Sequence, residues 1–136
     1  MNSYSYEELS VGTTETFEVE VTDEMLRAFC EMSGDVNPLH TDADFAKSRG
    51  FDSKVVYGML TSSFYSTLVG VYLPGERCIL QEISIKFRKP VYVGDVIRVT
   101  GRVIEKTDFV KRVVIKAFAE NQTGVKVNTA TISVGL

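Results

Sequence analysis

From residue 58 to residue 73 the chain carries a helical segment with almost no solvated face. Met59, Leu60, Phe64, Leu68, Val69 and Val71 recur at helical spacing, and most positions between them are Ser, Thr or Gly. A helix that is small or apolar on every side cannot lie on a surface and has to be wrapped by something else. The run stops at Leu73-Pro74-Gly75, where proline lacks the amide that a further turn would use.

The wrapper is in the second half of the chain. Residues 78–87, 96–106, 110–121 and 126–134 read as strands, separated by Pro90, Gly94-Asp95, Thr107-Asp108 and Gly124. Residues 16–21 form a fifth, with Phe17, Val19 and Val21 alternating against Thr16, Glu18 and Glu20. Consecutive strands joined by short turns predict an antiparallel meander. The expected architecture is α+β, an antiparallel sheet of about five strands around one long central helix. It occupies a single domain over residues 1–136, with residues 1–14 as a polar lead-in over the surface.

A chain of 136 residues, 44% of them apolar, buries a substantial core without disulfides or metals. The net charge of −3 is interspersed, so there is no basic footprint for a phosphate backbone and no nucleic-acid partner is expected. Cys30 and Cys78 lie far apart and away from the one histidine, so no zinc site is expected and both read as buried, reduced thiols. No segment is long and apolar enough to span a bilayer, and residues 1–8 lack the basic and apolar regions of a signal sequence. A soluble, cytoplasmic protein without a membrane partner is the expectation.

The chemistry concentrates in Ser33-Gly34-Asp35-Val36-Asn37-Pro38-Leu39-His40-Thr41-Asp42-Ala43-Asp44, which holds the single histidine. A helix leads into it, capped by Thr22, with Asp23 and Glu24 in its first turn and Met25, Leu26, Phe29, Cys30 and Met32 on its apolar positions. Asp42 caps a second short helix, with Phe45 and Ala46 facing inward, that ends near Arg49-Gly50; residues 51–56 then connect to the central helix. Gly, Asn and Pro shape the loop between the two. A carboxylate and an imidazole five positions apart across a turn can both reach one water or one substrate proton. That is the equipment of general acid–base chemistry near neutral pH.

In this order and spacing the chain resembles the hotdog fold, and specifically the MaoC-like (R)-specific enoyl-CoA hydratases and dehydratases. The residues that carry the resemblance are Ser33-Gly34-Asp35-Val36-Asn37-Pro38-Leu39-His40, Gly58-Met59-Leu60 at the helix start, and the Val91-Tyr92-Val93-Gly94-Asp95 turn. It implies (R)-specific hydration of trans-2-enoyl-CoA, reversible as dehydration. Asp35 and His40 would bind the attacking water, and the Gly58 N–H would stabilise the oxyanion. Asn37 would support the loop. Ser66 would either orient Asp35 or serve as a small residue for tight packing.

Substrate contacts are expected at Tyr57, Met59 and Phe64. Lys86, Arg88 and Lys89 either meet the coenzyme A phosphates or form a solvated strand edge. Tyr57 is a departure, since the family commonly has histidine there. No cofactor is implied, because coenzyme A is part of the substrate, and a homodimer or higher homo-oligomer is. Bulky Phe64, Tyr65 and Leu68 would restrict the acyl group to short chains such as crotonyl. The alternatives are a 3-hydroxyacyl-[acyl carrier protein] dehydratase, a hotdog acyl-CoA thioesterase and a non-catalytic acyl-CoA-binding protein.

Overall fold

The computed structural model describes residues 1–136. A strand β1 (Thr14–Glu20) precedes four helices: α1 (Asp23–Ser33), the one-turn α2 (Pro38–Thr41), α3 (Ala43–Ser48) and α4 (Gly58–Thr67). Strands β2 (Ile79–Phe87), β3 (Val96–Thr107), β4 (Arg112–Glu120) and β5 (Lys126–Gly135) follow. All five strands form one antiparallel sheet in the order β1-β3-β4-β5-β2.

The expected meander holds only from β3 to β5. Strand β2 pairs with β5 instead of β3, so β1 and β2 are the two sheet edges. The reason lies in the connection between β2 and β3. Pro90 has no amide to donate, and the Val91 carbonyl accepts from the Val56 N–H at 2.8 Å, so this segment leaves the sheet and crosses the entrance to α4. The crossing becomes one wall of the site described below.

Alternation along the inner strands builds the core. Ile97, Val99 and Val103 of β3, Val113, Ile115, Ala117 and Ala119 of β4, and Val127, Ile132 and Val134 of β5 are buried. They pack in one cluster with Leu60, Phe64, Tyr65 and Leu68 of the central segment. Burial of this kind, at roughly 25 cal/mol per Å² of apolar surface, is what fixes α4 across the sheet. The central segment does not run as a single α-helix: after Thr67 it widens into a π turn over Leu68–Tyr72. Here β3 comes close, and a Cβ added at Gly101 would lie 2.7 Å from Leu68 Cδ2.

Other local expectations are corrected. Residues Asp108–Val110 form a 3₁₀ turn and Lys111 takes a positive φ of 49°, so Val110 is exposed and β4 begins at Arg112. The lead-in is part of the core, since Tyr6 and Leu9 are buried and the N–H groups of Asn2 and Tyr4 donate to Val71 and Pro74. Met32 is exposed because it sits about 120° round the helix from the buried Leu26. Ala46 is buried but Phe45 is 37% exposed. Both cysteines are free thiols and only half-buried. No helix is long and apolar enough to cross a membrane.

Candidate active site

The site begins with the end of α1. Thr22 caps this helix by accepting from the Met25 N–H at 3.2 Å, and Gly34 stops it in the left-handed conformation, φ 73°, donating its N–H to the Cys30 carbonyl. Chain direction reverses there, and Asp35 emerges on the exposed loop that follows. Its Oδ1 accepts from the Asn37 N–H at 3.1 Å while Oδ2 stays unengaged. Asn37 in turn caps α2, accepting from the Leu39 N–H at 3.0 Å, with Pro38 at the first helical position. Asn37 thus fixes the turn between Asp35 and His40. What read as a shaped loop is a capped single turn of helix that carries His40.

His40 is half-buried, and its Nδ1 lies 2.6 Å from the Val55 carbonyl oxygen. A carbonyl only accepts, so the proton of the neutral imidazole sits on Nδ1 and the Nε2 lone pair is left free as a base. The Val55 N–H donates to the Leu39 carbonyl at 3.0 Å, zipping the connector to α2 from the other direction. Lys54 anchors the same connector to α1 through an ion pair with Asp23. Lys54 therefore holds the Asp23 carboxyl below its usual range.

Gly58 opens α4, and no side chain caps this helix. The Leu60 and Thr61 N–H groups both turn back to the Tyr57 carbonyl, which leaves the N–H groups of Gly58 and Met59 without a partner. Two free amides at the positive end of a helix favour developing negative charge. A Cβ at Gly58 would lie 2.9 Å from Phe87 Cε1, so any side chain here pushes that ring aside.

His40 and Gly58 meet in one pocket of about 190 Å³, walled by Val55 and Val56 of the connector, Val91 of the crossing segment and Phe87 of β2. A second pocket of about 270 Å³ lies against His40 and Tyr57 on the side of α1. Asp35 lines neither pocket and is tied to them through its backbone: the Tyr57 hydroxyl donates to the Asp35 carbonyl oxygen at 2.6 Å, and the Tyr57 ring lies 4.1 Å from the His40 ring.

The remaining expected residues divide. Lys89 lines the pocket with His40 and Gly58, whereas Lys86 and Arg88 line a separate groove on the outer face of the sheet, as alternation in a strand dictates. Met59 is 62% exposed at the start of α4, and Phe64 is buried in the core, lining neither His40 pocket. Ser66 is exposed on α4 and makes no hydrogen bond to Asp35, which leaves it the role of a small helix residue. Tyr57, expected to touch substrate, is 2% exposed with its hydroxyl engaged by Asp35.

Sequence reading overlooked Thr61 and Asn128, both buried and both in the pocket wall. The Tyr65 hydroxyl donates to Asn128 Oδ1, Asn128 Nδ2 donates to Thr61 Oγ1 at 3.2 Å, and the Thr61 hydroxyl donates to the Gly58 carbonyl at 2.8 Å. The available signal was an amide side chain in β5 next to Val127, within a strand otherwise apolar on its inner side. Burial holds the Tyr65 phenol protonated, well above its ordinary value, so it acts only as a donor at neutral pH.

Comparison with known proteins places this arrangement. The family model described as the MaoC like domain matches residues 9–125. The chain is 33% identical to the 3-hydroxybutyryl-CoA dehydratase of Methylorubrum extorquens, over 74% of this chain and 64% of that protein. It is 32% identical to the (R)-specific enoyl-CoA hydratase of Rhodospirillum rubrum, over 74% of this chain and 73% of that protein. The mitochondrial 3-hydroxyacyl-[acyl-carrier-protein] dehydratase of Arabidopsis thaliana is 40% identical, over 54% of this chain but only 43% of its own length. Among solved structures, the (R)-hydratase from A. caviae involved in PHA biosynthesis superposes with a TM-score of 0.91 and 31% identity, covering 96% of this chain and 98% of that one. With the family model spanning most of its length, the chain belongs to the MaoC-like domain family and has the hotdog fold.

Proposed function

We propose that this protein adds water to trans-2-enoyl thioesters of coenzyme A to give (R)-3-hydroxyacyl-CoA, and removes it in reverse. The observation that carries the reading is the pocket that His40, its Nε2 lone pair freed by Val55, shares with Gly58 and its partnerless amide. Water is a poor nucleophile at neutral pH, so it is held between Asp35 and His40. One of them takes a proton as the oxygen attacks Cβ, and a proton is returned to Cα. Charge moves onto the thioester oxygen, where the Gly58 N–H receives it; one such donor is typically worth about 2.7–4 kcal/mol in the transition state. Two groups holding water on one face give syn addition. Water adds across the double bond with no net oxidation or reduction: Asp35 and His40 move its protons, and the Gly58 N–H stabilises the charge on the thioester oxygen.

A pocket of about 190 Å³ suits a short acyl chain such as crotonyl. Ile79 and Phe87 leave apolar surface exposed on the edge strand β2, which supports a homodimer joined along that edge. The Arabidopsis relative's name favours one competing carrier, an acyl carrier protein in place of coenzyme A. Mixing the protein in turn with crotonyl-CoA and with the crotonyl thioester of acyl carrier protein, and following the conjugated-enoyl absorbance, separates the readings. Loss of absorbance with the thioester intact supports the hydratase. Release of free coenzyme A points to a thioesterase, and turnover restricted to acyl carrier protein thioesters points to the dehydratase of fatty-acid synthesis.

A further inference from the structure

Tyr57 touches both Asp35 and His40 and shares a peptide unit with Gly58. Its hydroxyl donates to the Asp35 carbonyl at 2.6 Å, and its ring lies 4.1 Å from that of His40 at an interplanar angle of 32°. Its carbonyl, part of the peptide unit that carries the Gly58 N–H, accepts from Leu60 and Thr61, which fixes the plane of that amide. Phe29 of α1 packs on the tyrosine ring at 4.9 Å, so the ring is confined from a second side. Asp35 needs such an anchor, because it follows a left-handed glycine on an exposed loop. The only other donor to its carbonyl is the weak Cys30 thiol, at 3.4 Å.

We propose that Tyr57 is the positioning residue of this site. Its hydroxyl sets the Asp35 backbone and its ring sets the His40 plane, so that carboxylate and imidazole face one water at a fixed offset from the Gly58 amide. The catalytic consequence rests on the hydratase reading, whereas the positioning is a property of the fold. Burial supports the assignment by keeping the phenol protonated and therefore a donor.

The test is Tyr57→Phe, which keeps the ring and removes only the hydroxyl, compared with Tyr6→Phe, which removes a buried hydroxyl that donates to Asp108 instead. Misplacement of a reacting group by a fraction of an ångström is expected to lower kcat with crotonyl-CoA by about tenfold or more. KM stays near the wild-type value, and the melting temperature falls no further than in Tyr6→Phe. His40 is the single histidine, so its imidazole resonances report on the pair without any assay. They are expected to be sharp and ring-current shifted in the wild type and broadened in Tyr57→Phe.

Unchanged kcat with unmoved His40 resonances overturns the proposal. A rise in KM alone assigns Tyr57 to substrate binding, and a loss of activity shared equally by Tyr6→Phe makes the role purely structural. A wild type without hydratase activity defeats the functional reading, while the His40 resonances still decide the positioning. Should Tyr57→Phe not fold, the wild type carries the test. A slowly exchanging Tyr57 hydroxyl proton and a ring-shifted His40 are then required, and their absence refutes the assignment.

Discussion

Asp35 and His40 are held by different parts of the chain. The Asp35 carboxylate takes one bond from the Asn37 amide and is exposed, while His40 is locked by the Val55 carbonyl and the Tyr57 ring. Neither side chain belongs to the core cluster, so Asp35→Asn and His40→Ala are expected to fold with melting temperatures near wild type. Each should lose on the order of 10²–10⁴ in kcat, the range that a general acid or base supplies. Near-native turnover in either variant would remove that residue from the mechanism. Gly58→Ala behaves differently. The new methyl would lie 2.9 Å from the Phe87 ring, which is 56% exposed and free to move. Stability should therefore change by less than about 1 kcal/mol. The displaced ring lines the same pocket as His40, so kcat/KM for crotonyl-CoA should fall, a result that paired melting and kinetic measurements check directly.

At the scale of the elements, the close approach of β3 to the π turn after α4 is a tight packing contact. A methyl at Gly101 would lie 2.7 Å from Leu68 Cδ2 and 3.2 Å from Ile115 Cγ2, and both neighbours are fully buried. Gly101→Ala is expected to destabilise the fold by about 1–3 kcal/mol, measured by urea unfolding. Unchanged stability would mean that the central segment can shift without cost. Asn128→Leu makes a second case. It leaves the Tyr65 hydroxyl without its acceptor and Thr61 without a donor, both in the interior, at a cost of about 1–3 kcal/mol.

Periodicity made the wrapped helix, the strands and the loop with Asp35 and His40 legible, because burial imposes a repeat on apolar residues. The place of β2 was not legible. Nothing in residues 78–87 says which strand they pair with, and the decision is made outside the strand, by Pro90 and the Val56–Val91 bond. Asn128 was hidden for a related reason: a single polar residue in an apolar strand acquires its meaning from Tyr65 and Thr61, more than sixty positions away. Tyr57 was visible as an unusual residue beside Gly58, but its orientation toward Asp35 depends on the angle at which α1 delivers the loop.

For the molecule as a whole, burial of acidic protons sets an alkaline limit. Burial pushes the Cys78 thiol up from 9.0 to about 11, and the Tyr57 and Tyr65 phenols are raised above their ordinary 10.0 in the same way. These groups keep their protons in the folded state at pH values where the unfolded chain has released them. Their contribution to stability is thus complete below about pH 9 and is lost as pH rises through the folded values. Melting temperature is expected to decline steadily above about pH 9, and a value that stays level to about pH 11 would contradict this.

The central claim is that one water, held by Asp35 and His40, adds to one face of an enoyl thioester whose oxygen rests on the Gly58 amide. Hydration of crotonyl-CoA in deuterium oxide, followed by determination of the configurations at both carbons of the product, tests it most directly. The account predicts (R)-3-hydroxybutyryl-CoA with a single deuterium at Cα placed by syn addition. An (S) or racemic alcohol, or deuterium scrambled over both faces, would contradict it.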